Sequence, residues 1–231
     1  AWNTIQTLPQ IMEVENWQEA LTVDRVGDEF ETQYVLKTSG DSFRQIALIK
    51  ATNANLIVPI NFPEAPNVAD SLTADSVSFE DLKDWELAPF NPRILEDNEI
   101  DFAITSSGGN DEFWENLEKA VDSGLSEQKA IAAITFSAAQ ILGLENIVGQ
   151  LTPNALANFV ITTDPLFTED AQILENWIEG ERFVLAEDFD DRAGSYSIEV
   201  DGEQYSIELS FENSSASAQL IVSEDETRKA N

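Results

Sequence analysis

The sequence contains no cysteine and no histidine, and it sets 12 basic residues against 44 acidic ones. Without cysteine there is no disulfide, no thiolate chemistry and no zinc–cysteine centre, and the redox compartment stays open. Without histidine the chain lacks the commonest general base and the commonest transition-metal ligand. A Ser-His-Asp triad and a histidine-ligated zinc site are therefore excluded for this chain alone. No apolar run reaches the roughly 18 residues that a membrane-spanning helix needs. The opening residues, Ala1-Trp2-Asn3-Thr4, lack both the basic and the apolar regions of a signal peptide. With no initiating Met, the chain reads as a fragment. Nothing in it fixes a compartment; a periplasmic or secreted location is the expectation.

What is present is a globular composition, 42% hydrophobic with 5 Trp and 13 Phe, which separates it from a disordered acidic tail. The net charge of -32 repels nucleic acid and anionic membrane surfaces, so neither is an expected partner. The charge fits a heavily solvated surface suited to high salt better than a dedicated cation-binding face.

Along the chain, short apolar runs alternate with helical spacing. Gln10–Val14 reads as a strand, and Asn16–Phe30 as a helix with Trp17, Ala20, Leu21, Val23, Val26 and Phe30 at helical intervals. Tyr34–Lys37 is a strand ending in Thr38-Ser39-Gly40. Asp41 or Ser42 caps a helix to about Ala51, and Leu56–Ile60 has the unbroken apolarity of a buried parallel strand. Residues 61–98, with Pro63, Pro66, Pro89 and Pro92, read as a long connection holding one short helix, Phe79–Glu86. Asp101–Thr105 is a further buried strand. It opens into the polar glycine loop Ser106-Ser107-Gly108-Gly109-Asn110, after which Asp111 caps a helix to Gly124. Another helix runs from Ser126 to Gly143. Beyond it, Val148–Leu151, Ala157–Thr162 and Glu175–Phe183 read as strands. The alternation Tyr196, Ile198, Val200, then Asp201-Gly202, then Tyr205, Ile207, Leu209 reads as a hairpin, with 223–231 frayed.

Two stretches resemble a known family. Gly124-Leu125-Ser126-Glu127, with Ala130 through Thr135 and Ala138 through Leu144, is one. Val148-Gly149-Gln150-Leu151-Thr152-Pro153-Asn154-Ala155 through Ile161 is the other. In order and spacing they resemble the end of an amidohydrolase of the imidazolonepropionase-like kind, and Trp177-Ile178-Glu179-Gly180-Glu181 resembles its closing strand. The resemblance covers roughly 10–185. It implies an α/β fold: a partial TIM-type barrel, its C-terminal strands and helices, over 1–143. A β-sandwich segment would follow over 144–187, and a C-terminal β-hairpin extension over 188–231.

The same resemblance carries the family's metal positions onto this chain. The paired histidines of the first barrel strand have no counterpart here. The fifth-strand ligand falls near Val14 or Glu15, the sixth-strand histidine near Lys37 and the final aspartate at Ser106. None of these is the expected residue, and Asn154 and Asn158 replace a family glycine and aspartate. Active members are expected to use zinc; this chain is expected to hold no cofactor, no metal and no catalytic residue. Val14, Glu15, Lys37 and Ser106 are then vestigial positions, and Ser107, Gly108, Gly109 and Asn110 a possible cleft loop.

Three functions follow. The first is a non-catalytic amidohydrolase-like domain with a structural or binding role. The second is a fragment of an active metal-dependent hydrolase of non-peptide C–N bonds, whose N-terminal half supplies the ligands. The third is a binding module using the old barrel mouth, with Trp85, Trp114 and Phe90 as platforms. The expected partner is the missing N-terminal half of the same polypeptide or a second copy. Glu13 and Glu15 alternate on a strand and are not a catalytic pair. Asp188-Phe189-Asp190-Asp191 fits a calcium loop poorly.

The charge imbalance generates a first prediction. Self-repulsion lowers stability at low ionic strength and screening restores it. The melting temperature is expected to rise by several degrees between low and molar potassium chloride; an unchanged curve would remove the halophilic-surface reading.

Overall fold

The structure is a computed structural model. It describes residues 7–107, 112–168, 171–186, 194–200, 203–212, 215–223 and 226–230. The chain divides into two compact units, Ala1–Ala157 and Asn158–Asn231.

The first unit is built on four parallel strands in sequential order: β1 (Gln10–Glu13), β2 (Tyr34–Lys37), β3 (Leu56–Pro59) and β4 (Phe102–Thr105). The register sets Leu36 beside Leu56 beside Phe102, and Val58 beside Ile104. Side chains alternate between faces along a strand, so these five share one face. None is more than 8% exposed. The opposite face carries Val35, Lys37, Ile57, Pro59, Ala103 and Thr105. Its lower part is closed by a buried cluster of Val35, Ala103 and Ile141, against which Ile57 and Ala138 pack. Coverage on both faces is the usual condition of a parallel sheet, and it explains why Leu56–Ile60 and Asp101–Thr105 show no polar alternation.

The helices follow local rules. In α1 (Trp17–Glu29) the Asn16 side chain accepts from the Glu19 amide at 2.9 Å. Gly27, buried on that helix, admits no side chain, because a Cβ there would lie 2.4 Å from the Thr32 carbonyl oxygen. A 3-10 turn, Ser42–Gln45, leads into α2 (Ile46–Ala51). The span between β3 and β4, read as a connection with one helix, instead contains α3 (Ser71–Ser76), α4 (Phe79–Leu87), a 3-10 turn (Ala88–Phe90) and α5 (Asn91–Asp97). Pro89 and Pro92 stand in the first turn of their elements, where a missing N–H costs nothing. Two prolines expected within a connection thus begin helical elements.

After β4 come α6 (Phe113–Asp122), α7 (Glu127–Ile134) and α8 (Phe136–Ile141). The expected single helix from Ser126 to Gly143 is broken at Thr135, whose backbone leaves the helical region at φ -129, ψ -93. The break brings the Thr135 carbonyl against Gly149, where a Cβ would meet that oxygen at 2.8 Å. Gly149 itself has φ +85, so Val148–Leu151 is a turn and not the strand its apolarity suggests. The Asp111 cap lies outside the described residues.

The second unit holds two antiparallel sheets. One comprises β5 (Phe159–Thr162), β6 (Ile173–Ile178) and β7 (Glu181–Val184). Glu175–Phe183, expected as one strand, folds back at Glu179-Gly180, where both residues have positive φ (51° and 85°), the geometry of a tight hairpin. Trp177 stacks on Phe159 at 5.3 Å and donates to Glu175 at 2.7 Å; Arg182 also pairs with Glu175. The Arg182 guanidinium first, and the Trp177 indole second, hold the Glu175 carboxyl below its usual range.

The other sheet has the order β11-β10-β9-β8, from β8 (Gly194–Val200), β9 (Glu203–Glu212), β10 (Ser215–Ser223) and β11 (Glu226–Ala230). Tyr196 stands opposite Ile207 and Ile198 opposite Tyr205, the register that the alternation predicts. The turn at Asp201-Gly202 lies outside the described residues. The expected lone hairpin is extended by β10, and β11, within the stretch expected to fray, pairs with β10.

Phe102, wholly buried, is capped by Lys129, whose Nζ sits 5.2 Å from the ring centroid and 3.6 Å from Asp101. Phe102→Ala is expected to cost about 3–5 kcal/mol in urea unfolding. A loss under about 1 kcal/mol would show that this face is not the core.

Candidate functional site

The C-terminal ends of the four parallel strands converge on one edge of the sheet. The main-chain amide of Val14 donates to the Lys37 carbonyl at 2.9 Å, so Val14 extends the β1–β2 ladder, and its side chain is buried. Lys37 ends β2. Its side chain is about three-quarters buried, and its ammonium lies 2.8 Å from Glu13, its partner in register on β1. Ser106 follows β4 and is exposed; the Ser107 amide donates to Thr105 Oγ1 at 3.2 Å. Glu15 is exposed and its amide donates to Glu19 at 2.7 Å. Gly108, Gly109 and Asn110 lie outside the described residues. The structure thus makes positions 14 and 37 neighbours, while Ser106 stands two strands away from Lys37, on the order of 10 Å at ordinary strand spacing.

Beside Ser106 lies an open depression of about 570 Å³, lined also by Thr105, Phe113, Trp114 and Ile134. Phe113 and Trp114 meet edge-to-face at 5.5 Å, and Trp114 is 42% exposed. Trp85 and Phe90, the other candidate platforms, are also partly exposed but do not line this depression.

A second cleft, of about 450 Å³, opens at the ends of β1 and β2. Its walls include Glu15 and Trp17 after β1, Ser39, Gly40 and Asp41 after β2, and Arg44, Glu80 and Asp84. Asp41, one of two residues (with Ser42) expected to cap the helix after it, makes no side-chain cap bond there; it accepts from the Trp17 amide at 3.0 Å and completes the cap of α1. Arg44 pairs with Glu80 at 2.5 Å and also with Asp84. The Asp84 and Glu80 carboxylates raise the Arg44 pKa further above its already high value. Four carboxylates against one guanidinium make the cleft negative and suited to cations over anions. Sequence reasoning missed this arrangement. Glu80 and Asp84 at a spacing of four on a helix gave the one local hint, and nothing local pointed to Arg44, 36 residues away.

A model described as the amidohydrolase family matches residues 17–186. No curated protein matches the chain in sequence. Among solved structures, an amidohydrolase from Thermotoga maritima MSB8 is similar with a TM-score of 0.63 and 18% identity, over 79% of this chain and 45% of that one. A prolidase complexed with N-methylphosphonate-L-proline is similar with a TM-score of 0.51 and 10% identity, over 75% of this chain and 44% of that one. At such identities these likenesses speak for the fold alone. The chain spans less than half the length of either structure.

The strand ends do not fit the zinc that the family resemblance implies. They offer a buried aliphatic side chain at Val14, an exposed carboxylate at Glu15, an ammonium at Lys37 and a neutral hydroxyl at Ser106, so that only one of the four positions is an anionic donor and none is an imidazole. Among the described residues, no three Asp or Glu side chains cluster as a metal site would require. Elemental analysis after dialysis against chelator is expected to find far less than one zinc, iron or manganese per chain. About one retained equivalent would show a site assembled from elsewhere in the sequence.

Proposed function

The chain belongs to the amidohydrolase family, and on that premise we propose that it is a non-catalytic domain of that family with a structural or binding role. The observation that carries the proposal is the Lys37–Glu13 ion pair at the ends of β1 and β2. With Lys37 taken up by Glu13 the pair is close to neutral, and it leaves no net negative charge at the ends of β1 and β2 to draw a divalent cation. Ser106 adds none, since a hydroxyl is neutral and a far weaker base than a carboxylate. On this reading Val14, Glu15, Lys37 and Ser106 are vestigial positions and no cofactor is held. The first unit is the C-terminal part of a TIM-type barrel, and the sheets of the second unit are the latter part of a β-sandwich with its extension.

A second reading is favoured by one fact: the chain spans 45% of the Thermotoga maritima structure. Among the described residues the outer edges of β1 and β4 have no strand partner, and β1 leaves Ile11 and Met12 exposed. Open parallel edges call for cover. A complementary set of (β/α) units, from the same polypeptide or a second copy, would supply it. If that half carried the histidines, the whole would be a metal-dependent hydrolase of C–N bonds. A His-x-His following a strand upstream of Ala1 would favour this reading.

The proposal is tested by assaying the chain against cyclic amides, dipeptides and esters with added zinc. No turnover above background is expected, and Ser106→Asp alone is not expected to create any. Turnover that survives repurification and vanishes in Ser106→Ala would mean that an active site does operate beside β4, and the non-catalytic reading would be wrong.

A further inference from the structure

Between Ile60, 2% exposed, and Pro89, also buried, no described residue of the span 61–88 is buried. That span includes α4, which contributes nothing to the core. Its internal order is local. Ser78 and Asp81 form a capping box at its start, and Lys83 lies 5.6 Å from the Phe79 ring centroid. Near its beginning, Phe62 is held by Lys119, whose Nζ lies 5.7 Å from the ring centroid. The ion-pair ties from α4 to the body of the first unit run to one side chain, Arg44, which grips Glu80 and Asp84 one helical turn apart.

These ties sit at the cleft. Pro63, Glu80, Asp84 and Ala88 form one wall of the 450 Å³ space, and Trp17, Ser39 and Gly40 at the strand ends form another. The tie is also imperfect: Asp84 Oδ1 is buried with no hydrogen-bond partner in the closed arrangement. An unsatisfied buried acceptor raises the energy of that state and narrows its gap to an open one.

We propose that residues 61–88 are a strap that opens and closes the cleft at the ends of β1 and β2, and that the Arg44 pairs with Glu80 and Asp84 are its latch. The buried residues Ile60 and Pro89 fix the two ends. Opening removes one cleft wall and leaves the parallel sheet untouched, because no described residue of the strap is part of the core. Nine residues are too few to stay helical alone, so a released α4 loses its amide protection.

Hydrogen–deuterium exchange on the whole chain tests this. Arg44→Ala is expected to speed exchange in peptides covering 79–87 about tenfold, the scale of two partly exposed ion pairs. Peptides covering β2, β3 and β4 should keep wild-type rates. Arg44→Lys, which reaches a single carboxylate, should fall between the two. Molar potassium chloride adds a discriminating arm. It is expected to slow exchange in the sheet, by relieving the net charge, while speeding it in 79–87 by screening the latch. The strap is overturned if Arg44→Ala leaves 79–87 at its wild-type rate. It is equally overturned if the sheet peptides accelerate by the same factor, or if salt moves both regions in one direction.

Discussion

The apolar face formed by Leu36, Leu56, Val58, Phe102 and Ile104 holds the first unit together. These residues come from three strands separated by whole helical segments, and they meet only because parallel pairing aligns them. Burial at roughly 25 cal/mol per Å² makes such a layer the main source of stability. The helices owe their positions to it. Ala20, Leu95, Leu117, Ala130 and Ala133, each fully buried, are the points where helices press into the core. The opposite face is closed more thinly, by Ile141 and Ala138 from α8, and it grows polar toward the C-terminal ends of the strands. That gradient makes the strand ends the place where a ligand could enter.

Electrostatics then decides what those ends can do. The chain carries far more acid than base, so each cation is scarce and its placement matters. Lys37 is used against Glu13, Arg44 against Glu80 and Asp84, and Arg182 against Glu175. The first pair stands at the ends of β1 and β2, and the second lines the cleft beside it. In both places the carboxylates and cations are engaged in ion pairs.

Much of this was legible in the sequence. Unbroken apolar runs located β2, β3 and β4, helical spacing located α1, and period-two alternation fixed the β8–β9 register to the residue. The order of the motifs from Gly124 to Ile161 carried the family. Errors fell where a residue's effect depends on distant atoms. Pro89 and Pro92 suit a connection in sequence, yet they begin helical elements, because a proline's role depends on its position in a turn. Val148–Leu151 reads as a strand from its apolarity, which does not show the positive φ that Gly149 adopts against the Thr135 carbonyl. The helix from Ser126 broke at Thr135 for the same packing reason.

By itself the sequence determined the parallel strands, the first helix, the β8–β9 register, the family and the absence of histidine and cysteine chemistry, because periodicity, motif order and composition are properties of neighbouring residues. The tertiary structure alone decided that Lys37 faces Glu13, that Asp41 caps α1 rather than its own turn, and that Arg44 reaches Glu80 and Asp84. Those pairings join residues 24 to 40 positions apart. An ion pair between them depends on strand register and helix placement, and these are fixed by burial of the core and not by the charges themselves.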